Sequence, residues 1–295
     1  MKRQAVLPLI RQALREDAAE RDVTARSALP ASARVRAQLL ANASGILAGG
    51  AVAVWTFRMV GPSLRCVLRR RDGARFRPGQ TLLTVEGSAR SILAAERTAL
   101  NVLSHLCGVA TLTQAFVQRV RPFRAKIFDT RKTLPGLRIL EKYAVKVGGG
   151  WSHRTDLAET VLIKTNHLRA LRLAHRRQHT AHRGVIIQRV IAKAKRIRPR
   201  RFVEIEVTNL SEFRAALDAR PDAILLDNWR IEDIRKVVQF LNAERSTLSA
   251  RPLLEVSGGV TLRNVRAIAA TGVDRISIGR LTHSAPSLDL SLNVR

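Results

Sequence analysis

Between Ile127 and Asp156 the chain reads IFDTRKTLPGLRILEKYAVKVGGGWSHRTD. Arg131 and Lys132 directly follow an apolar run. His153 and Arg154 follow three consecutive glycines, and Lys164 closes the next apolar run, TVLIK. A guanidinium binds a carboxylate through two parallel hydrogen bonds, whereas an ammonium acts as a compact point charge. Several such groups at neighbouring strand ends suit a ligand with more than one carboxylate or phosphate. Any one of them also reads as a solvated surface charge in a chain with 52 cations, so the group is stronger than its members.

Two further patterns point the same way. Ser257-Gly258-Gly259 and Ile278-Gly279-Arg280 each follow an apolar run, with His283 and Ser284 close behind. Glycine lets a backbone approach an oxyanion, and late strands of a barrel often supply a phosphate site. Each motif alone reads equally well as a tight turn. Glu206 and Asp227 close consecutive apolar runs in the same cation-rich region. They fit Mg²⁺ on a diphosphate, held partly through water, or a developing positive charge. Ion pairing with nearby arginines is the plainer alternative.

These residues need elements to position them. Up to about residue 110, short strand-like runs (Val35–Leu40, Thr81–Val85) mix with helical segments, and Pro78-Gly79 marks a turn. Leu93, Leu100, Leu103 and Leu106 recur at helical spacing. Beyond residue 120 six apolar strands alternate with helices. One helix carries the stripe Ile231, Ile234, Val238 and Leu241. Another carries Val265, Ile268 and Ala269, with Thr261 placed to cap its start and Gly272 its end. The alternation predicts a parallel sheet in an α/β fold. Glu204 and Glu206 share one face of a strand whose other face is Val203, Ile205 and Val207. A barrel mouth tolerates such a pair, and a sheet covered on both faces does not. An open (β/α) barrel is therefore preferred to a doubly wound sheet. Gly148-Gly149-Gly150 reads as a bend or flexible loop.

The composition excludes other classes. Net charge is +29, and 43 of the 52 cations are arginine. Arginines fall in nearly every block of ten, a compositional bias rather than one nucleic-acid face; the segment 169–201 is a local exception. Aromatics are 4%, too few for base-stacking platforms, so nucleic acid is expected to bind only non-specifically. Cys66 and Cys107 cannot make a disulfide framework or a cysteine zinc site. His175, His179 and His182 have helical spacing but lie in the basic stretch. Met1–Asp17 lacks a signal-peptide core, and the run Ile46–Phe57 is too short to span a bilayer. A cytoplasmic protein without a membrane partner is expected.

The blocks ERTALNVLSHLCGVATLT, DTRKTLPGLRILEKYAVKVGGGWSHR, LIKTNH, VEIEVTNLSEF, ILLDN, EVSGGVTLRNVRAIAATGVD and ISIGRLTHSAPSLDLSL closely resemble the quinolinate phosphoribosyltransferase family. The resemblance begins near LREDAAERDVTARSALP and runs almost to residue 295. It implies an N-terminal α/β sandwich domain over 1–110, rejoined by 284–295, and an open barrel over 111–283. It implies a homodimer with shared active sites. The reaction it implies joins quinolinate to 5-phosphoribosyl 1-diphosphate with Mg²⁺, giving nicotinate mononucleotide, diphosphate and CO2 on the de novo route to NAD. By motif, Thr130, Arg131, Lys132, His153, Arg154 and Lys164 surround the quinolinate carboxylates and adjoining phosphates, and Arg97 is lent by the second subunit. Lys132, Lys164, Glu206 and Asp227 serve the chemistry, with Glu206 and Asp227 near the metal. Ser257, Gly258, Gly259, Ile278, Gly279, Arg280 and His283 match the phosphate site.

Three departures fall on the acid-binding side. The family pattern has asparagine where this chain has Ser152, glycine where it has Asp156, and aspartate where it has Thr165. Asp156 is expected to add a negative charge beside Arg154. Two rival readings follow. One is a paralogue of the same fold, of the kind associated with molybdenum transport, acting on another aromatic acid. The other is a non-catalytic polyanion binder.

Overall fold

The computed structural model describes residues 1–174, 183–244 and 251–295. His175, His179 and His182 lie outside the described residues. In chain order the strands are β1 (Arg34–Ala41), β2 (Gly45–Ile46), β3 (Arg65–Leu68), β4 (Arg75–Phe76), β5 (Thr81–Ser88) and β6 (Lys126–Phe128). They continue as β7 (Val161–Ile163), β8 (Val203–Val207), β9 (Ala223–Asp227), β10 (Leu253–Ser257), β11 (Arg275–Ser277) and β12 (Leu290–Val294). The chain divides into two compact units, one of residues 1–114, 132–150 and 279–295, the other of 115–131 and 151–278.

The first unit holds an antiparallel sheet in the order β12-β1-β5-β3. The strand-like runs around Val35 and Thr81 are its two central strands, paired along almost their whole length. Ala37, Leu39, Leu82, Leu83 and Val85 join Phe57, Phe76, Ile92, Leu103 and Leu290 in one apolar core. The leucines at helical spacing lie on the helix Ala89–Val120. Its length and composition would allow a membrane crossing, and half of its most apolar stretch is buried in the fold. Cys107 lies on it, fully buried, its thiol pushed up to about 12 by burial.

Gly148-Gly149-Gly150 is not a loose bend. The helix Arg138–Val147 ends there, and all three glycine N–H groups donate to carbonyls of its last turn: Ala144, Lys146 and Val145.

The second unit is the parallel sheet, in the order β6-β11-β10-β9-β8-β7. Strands β7 to β11 follow one another without reversal, and β6 lies beyond β11. The two strands nearest in sequence, β6 and β7, therefore form the opposite edges. That is the strand order of a barrel left open between its first two strands, and it lacks the mid-sheet reversal of a doubly wound sheet. All six strands read from the sequence are present. The stripe on the helix Ile231–Ala243 buries Ile234, Val238 and Leu241. Thr261 and Asn264 exchange hydrogen bonds before Val265–Ala269, and Gly272 follows that helix at φ +92°.

Candidate active site

Asp129 follows β6, is fully buried, and directs its carboxylate to the segment behind the glycines. Its Oδ1 accepts the His153 N–H at 2.8 Å, and its Oδ2 accepts the Ser152 hydroxyl at 3.1 Å. The Trp151 N–H donates to Ile127, and the Asp129 N–H donates to Trp151. Residues 151–153 are thereby fixed beside β6. Ser152, standing where asparagine is usual, still supplies a donor to the buried carboxylate.

Arg154 is only 7% exposed, and its Nη1 donates to the Thr160 carbonyl at 3.2 Å. Burial and the neighbouring Arg131 guanidinium hold its pKa below the usual arginine value, while Glu204 and Asp156 act the other way. Two guanidiniums in electrostatic contact, one of them buried, create a place where an added anion relieves repulsion. Asp156 thus adds its charge near Arg154, as expected, while it also hydrogen-bonds within its own segment. Its Oδ1 accepts the N–H groups of Ala158 and Glu159 at 2.8 and 3.0 Å, closing a local turn.

After β7, the Lys164 N–H donates to His167 Nδ1 at 2.8 Å, and the Lys164 side chain is exposed. Thr165 donates twice to Glu206 Oε1, from its hydroxyl at 2.6 Å and its N–H at 3.2 Å. Strand β8 bears both Glu204 and Glu206, as alternation requires. Glu206 is half-buried near the C-terminal end. Glu204, two residues earlier, is fully buried, with its Oε2 3.0 Å from His153 Nε2. Glu255 on β10, also fully buried, approaches the same nitrogen with Oε1 at 3.5 Å and accepts the Ser277 hydroxyl. Burial, followed by the Glu204 charge, pushes the Glu255 carboxyl up to about 8, against the pull of His153, Ser277 and Arg275.

Asp227 ends β9 in register with Ser257, and its Oδ2 accepts Asn228 Nδ2 at 3.0 Å. The Asn228 N–H donates to the Ser257 carbonyl at 2.9 Å. Gly258 follows with φ +90°, and a Cβ there would lie 2.2 Å from Asn228 Oδ1. Only glycine fits, so the backbone at Ser257-Gly258-Gly259 is bare where an oxyanion could approach. Ile278, past β11, is buried and its N–H donates to Phe128.

The first unit carries the remaining predicted residues apart from Thr130. Thr282 Oγ1 donates to the Lys132 carbonyl at 2.7 Å. A Cβ on Gly279 would lie 2.9 Å from Lys132 Cδ and 3.2 Å from His283 Nε2, so these three residues converge. Arg280 and His283 are exposed on the short helix Arg280–His283, and His283 Nδ1 is 2.6 Å from Ser284 Oγ. Arg97 is exposed on the helix Ala89–Val120. Thr130 is half-buried just beyond β6.

Sequence reading missed Asp129, Thr165 and Glu255 as organisers of the site. The signal for Glu255 was present: one acid inside the otherwise apolar run LLEV, two residues before Ser257.

The family model of the quinolinate phosphoribosyl transferase C-terminal domain matches residues 109–293, and that of the N-terminal domain matches residues 22–107. The chain belongs to the quinolinate phosphoribosyltransferase family. It is 41% identical over 288 residues to the nicotinate-nucleotide pyrophosphorylase [carboxylating] of Mycobacterium leprae, covering 97% of this chain and 95% of that one. It is 37% identical to quinolinate phosphoribosyltransferase [decarboxylating] 1 of Nicotiana glauca, over 97% of this chain and 81% of the relative. Among solved structures, the nicotinate-nucleotide pyrophosphorylase of Francisella tularensis superimposes with a TM-score of 0.87 at 34% identity, covering 100% of this chain and 98% of that one. The phosphoribosyltransferase family fold thus accounts for both units, the antiparallel sheet and the open parallel one.

Proposed function

We infer that this chain transfers the phosphoribosyl group of 5-phosphoribosyl 1-diphosphate to quinolinate with loss of CO2, forming nicotinate mononucleotide and diphosphate in NAD biosynthesis. The observation that carries this reading is the buried Arg154 guanidinium opposed by Arg131, a pair that a dianionic aromatic acid would neutralise. Arg131 and Arg154 grip and orient the two carboxylates, with Thr130 and Lys164 beside them. Orientation of this kind removes much of the entropic barrier to a bimolecular step. The pyridine nitrogen then attacks the anomeric carbon as the bond to diphosphate breaks. Glu206 and Asp227 would stabilise the positive charge that grows on the ribose. The ring nitrogen, now cationic, stabilises the electron pair left on the adjacent ring carbon as its carboxylate leaves as CO2, and that ring carbon takes up a proton.

The oxygen donors of Glu206 and Asp227 suit Mg²⁺. Bound there, the ion would supply charge neutralisation for the departing diphosphate. Ser257, Gly258, Gly259 and Ile278 in the second unit would hold phosphate groups, as would Lys132, Gly279, Arg280 and His283 in the first. The family resemblance of the segment around Arg97, which is exposed, supports a homodimer in which each site receives this arginine from its partner. A cytoplasmic location agrees with the use of soluble substrates.

The test is an assay of purified protein with quinolinate, 5-phosphoribosyl 1-diphosphate and Mg²⁺, following nicotinate mononucleotide by chromatography. Nicotinate in place of quinolinate, and a metal-free sample, are the controls. Product only with quinolinate and metal is expected. Folded protein that gives none would defeat the reading.

A further inference from the structure

His153 is held through both ring nitrogens. Nε2 lies 3.0 Å from Glu204 Oε2 and 3.5 Å from Glu255 Oε1. Nδ1 accepts the backbone N–H of Arg154 at 2.8 Å. A ring nitrogen that accepts carries no proton, so the ring hydrogen is on Nε2 and points at the carboxylates. The imidazole is then a neutral bridge, and neither of its nitrogens is left for a ligand.

The proton count of the cluster follows from the same contacts. One ligating atom from each of His153, Glu204 and Glu255 lies within 4.8 Å of the others, and both carboxylates are fully buried. Two ionised carboxylates this close in a dry interior would repel strongly, and it is Glu255 whose carboxyl is pushed up and keeps its proton. It faces Glu204 from β8, His153 from the segment after the glycines, and Ser277 and Arg275 from β11, with Arg275 Nη1 3.8 Å from Oε2.

We propose that Glu204 and Glu255 are positioning residues for Arg154: acting through the His153 ring, they fix the backbone from which its guanidinium is aimed at the carboxylates of the substrate. The proposal rests on the phosphoribosyltransferase reading for what Arg154 grips, and on hydrogen-bond geometry alone for how His153 is held. It assigns His153 to aiming Arg154, in place of direct contact with the acid.

Two measurements test it on the intact protein. The first is ¹⁵N NMR of the imidazole side chains, with His153 assigned by its loss in His153→Gln. A protonated Nε2 and a bare, hydrogen-bonded Nδ1 are expected. A protonated Nδ1, or a transition metal retained on the ring through chelator dialysis, would overturn the proposal whether or not the protein turns over quinolinate.

The second is steady-state kinetics. Glu204→Ala should raise KM for quinolinate by about tenfold, leave KM for 5-phosphoribosyl 1-diphosphate within about twofold, and be largely rescued by Glu204→Gln, which still accepts from Nε2. Equal changes in both KM values, or no rescue, would count against it. Should Glu204→Ala not fold, Glu255→Gln decides. Wild-type KM for quinolinate should climb above about pH 8, as Glu255 ionises beside the His153 ring, and the climb should vanish in Glu255→Gln. An unchanged profile would refute the relay. Absence of any turnover in the wild type would count against the family activity, while the NMR result would still decide the role of the ring.

Discussion

The Thr165 hydroxyl donates to Glu206 Oε1 at 2.6 Å, and the Thr165 N–H reaches the same oxygen at 3.2 Å. The resemblance implies an acid at this position, and this chain faces Glu206 with a neutral donor instead. Thr165→Val keeps the shape and removes the O–H. Losing a hydrogen bond to a charged group is worth about 1.5–3 kcal/mol, so kcat should fall roughly tenfold or more with KM for quinolinate little changed. Thr165→Ser should recover most of it. Initial-rate kinetics on the three proteins would expose a purely structural threonine, because serine would then fail to rescue.

Arg154→Lys is predicted to be nearly as damaging as Arg154→Ala, with kcat/KM for quinolinate down by about 10² or more in both. Lysine keeps the charge but loses the planar fork and the Nη1 contact to the Thr160 carbonyl. Substantial activity in the lysine variant would mean that charge alone suffices.

Asp156→Gly restores the residue usual in the family and should leave quinolinate turnover within about twofold. The Asp156 carboxylate accepts two N–H groups of its own turn, and its charge is the weakest of the influences on Arg154, so removing it changes Arg154 little. A several-fold drop in KM would instead show that its charge reaches the substrate.

Gly258→Ala combines a positive φ with a Cβ placed 2.2 Å from Asn228 Oδ1. It should cost about 1–3 kcal/mol of stability and raise KM for 5-phosphoribosyl 1-diphosphate more than KM for quinolinate. Denaturant melts and the two KM values together check both halves.

Glu255 supplies a stability prediction of opposite sign to the usual surface carboxylate. Its folded pKa is raised to about 8 from the ordinary 4.5, so the folded state binds more protons than the unfolded one between these values. Its contribution to stability is therefore greatest below about pH 4.5 and declines as pH rises towards 8. Glu255→Gln should be more stable than wild type at neutral pH, by something on the order of 2 kcal/mol. The gap should close in mild acid. Melting curves from pH 5 to pH 8 would show a constant difference if the carboxyl were ionised throughout.

Strand existence and order of function were legible in the sequence because each β/α repeat ends an apolar run in a residue that has no place in a core. Arg131, Lys164, Asp227 and Gly258 announce themselves that way. Glu204 and Glu206 were legible as a pair on one face, yet their different depths were not. Two residues of strand rise separate a fully buried carboxylate that holds a histidine from a half-buried one that faces Thr165. Asp129 and Glu255 stayed hidden for a related reason: their partners, His153 and Ser277, are 24 and 22 residues away, and no local spacing encodes the pairing. The triple glycine misled because its three N–H groups complete a helix end, a use that glycine-rich composition does not distinguish from a loop.

Strand β12 pairs with β1 through five residue partners, from Ala37 opposite Val294 to Ala41 opposite Leu290. During synthesis β1 leaves the ribosome some 250 residues ahead of its neighbour, as the numbering of that pairing requires. Until then one flank of β1 is an open hydrogen-bonding edge, a surface that invites pairing with another chain. The sheet of the first unit is therefore a clasp that closes only after the whole parallel sheet has been made, and crowding of nascent chains is the hazard it has to survive.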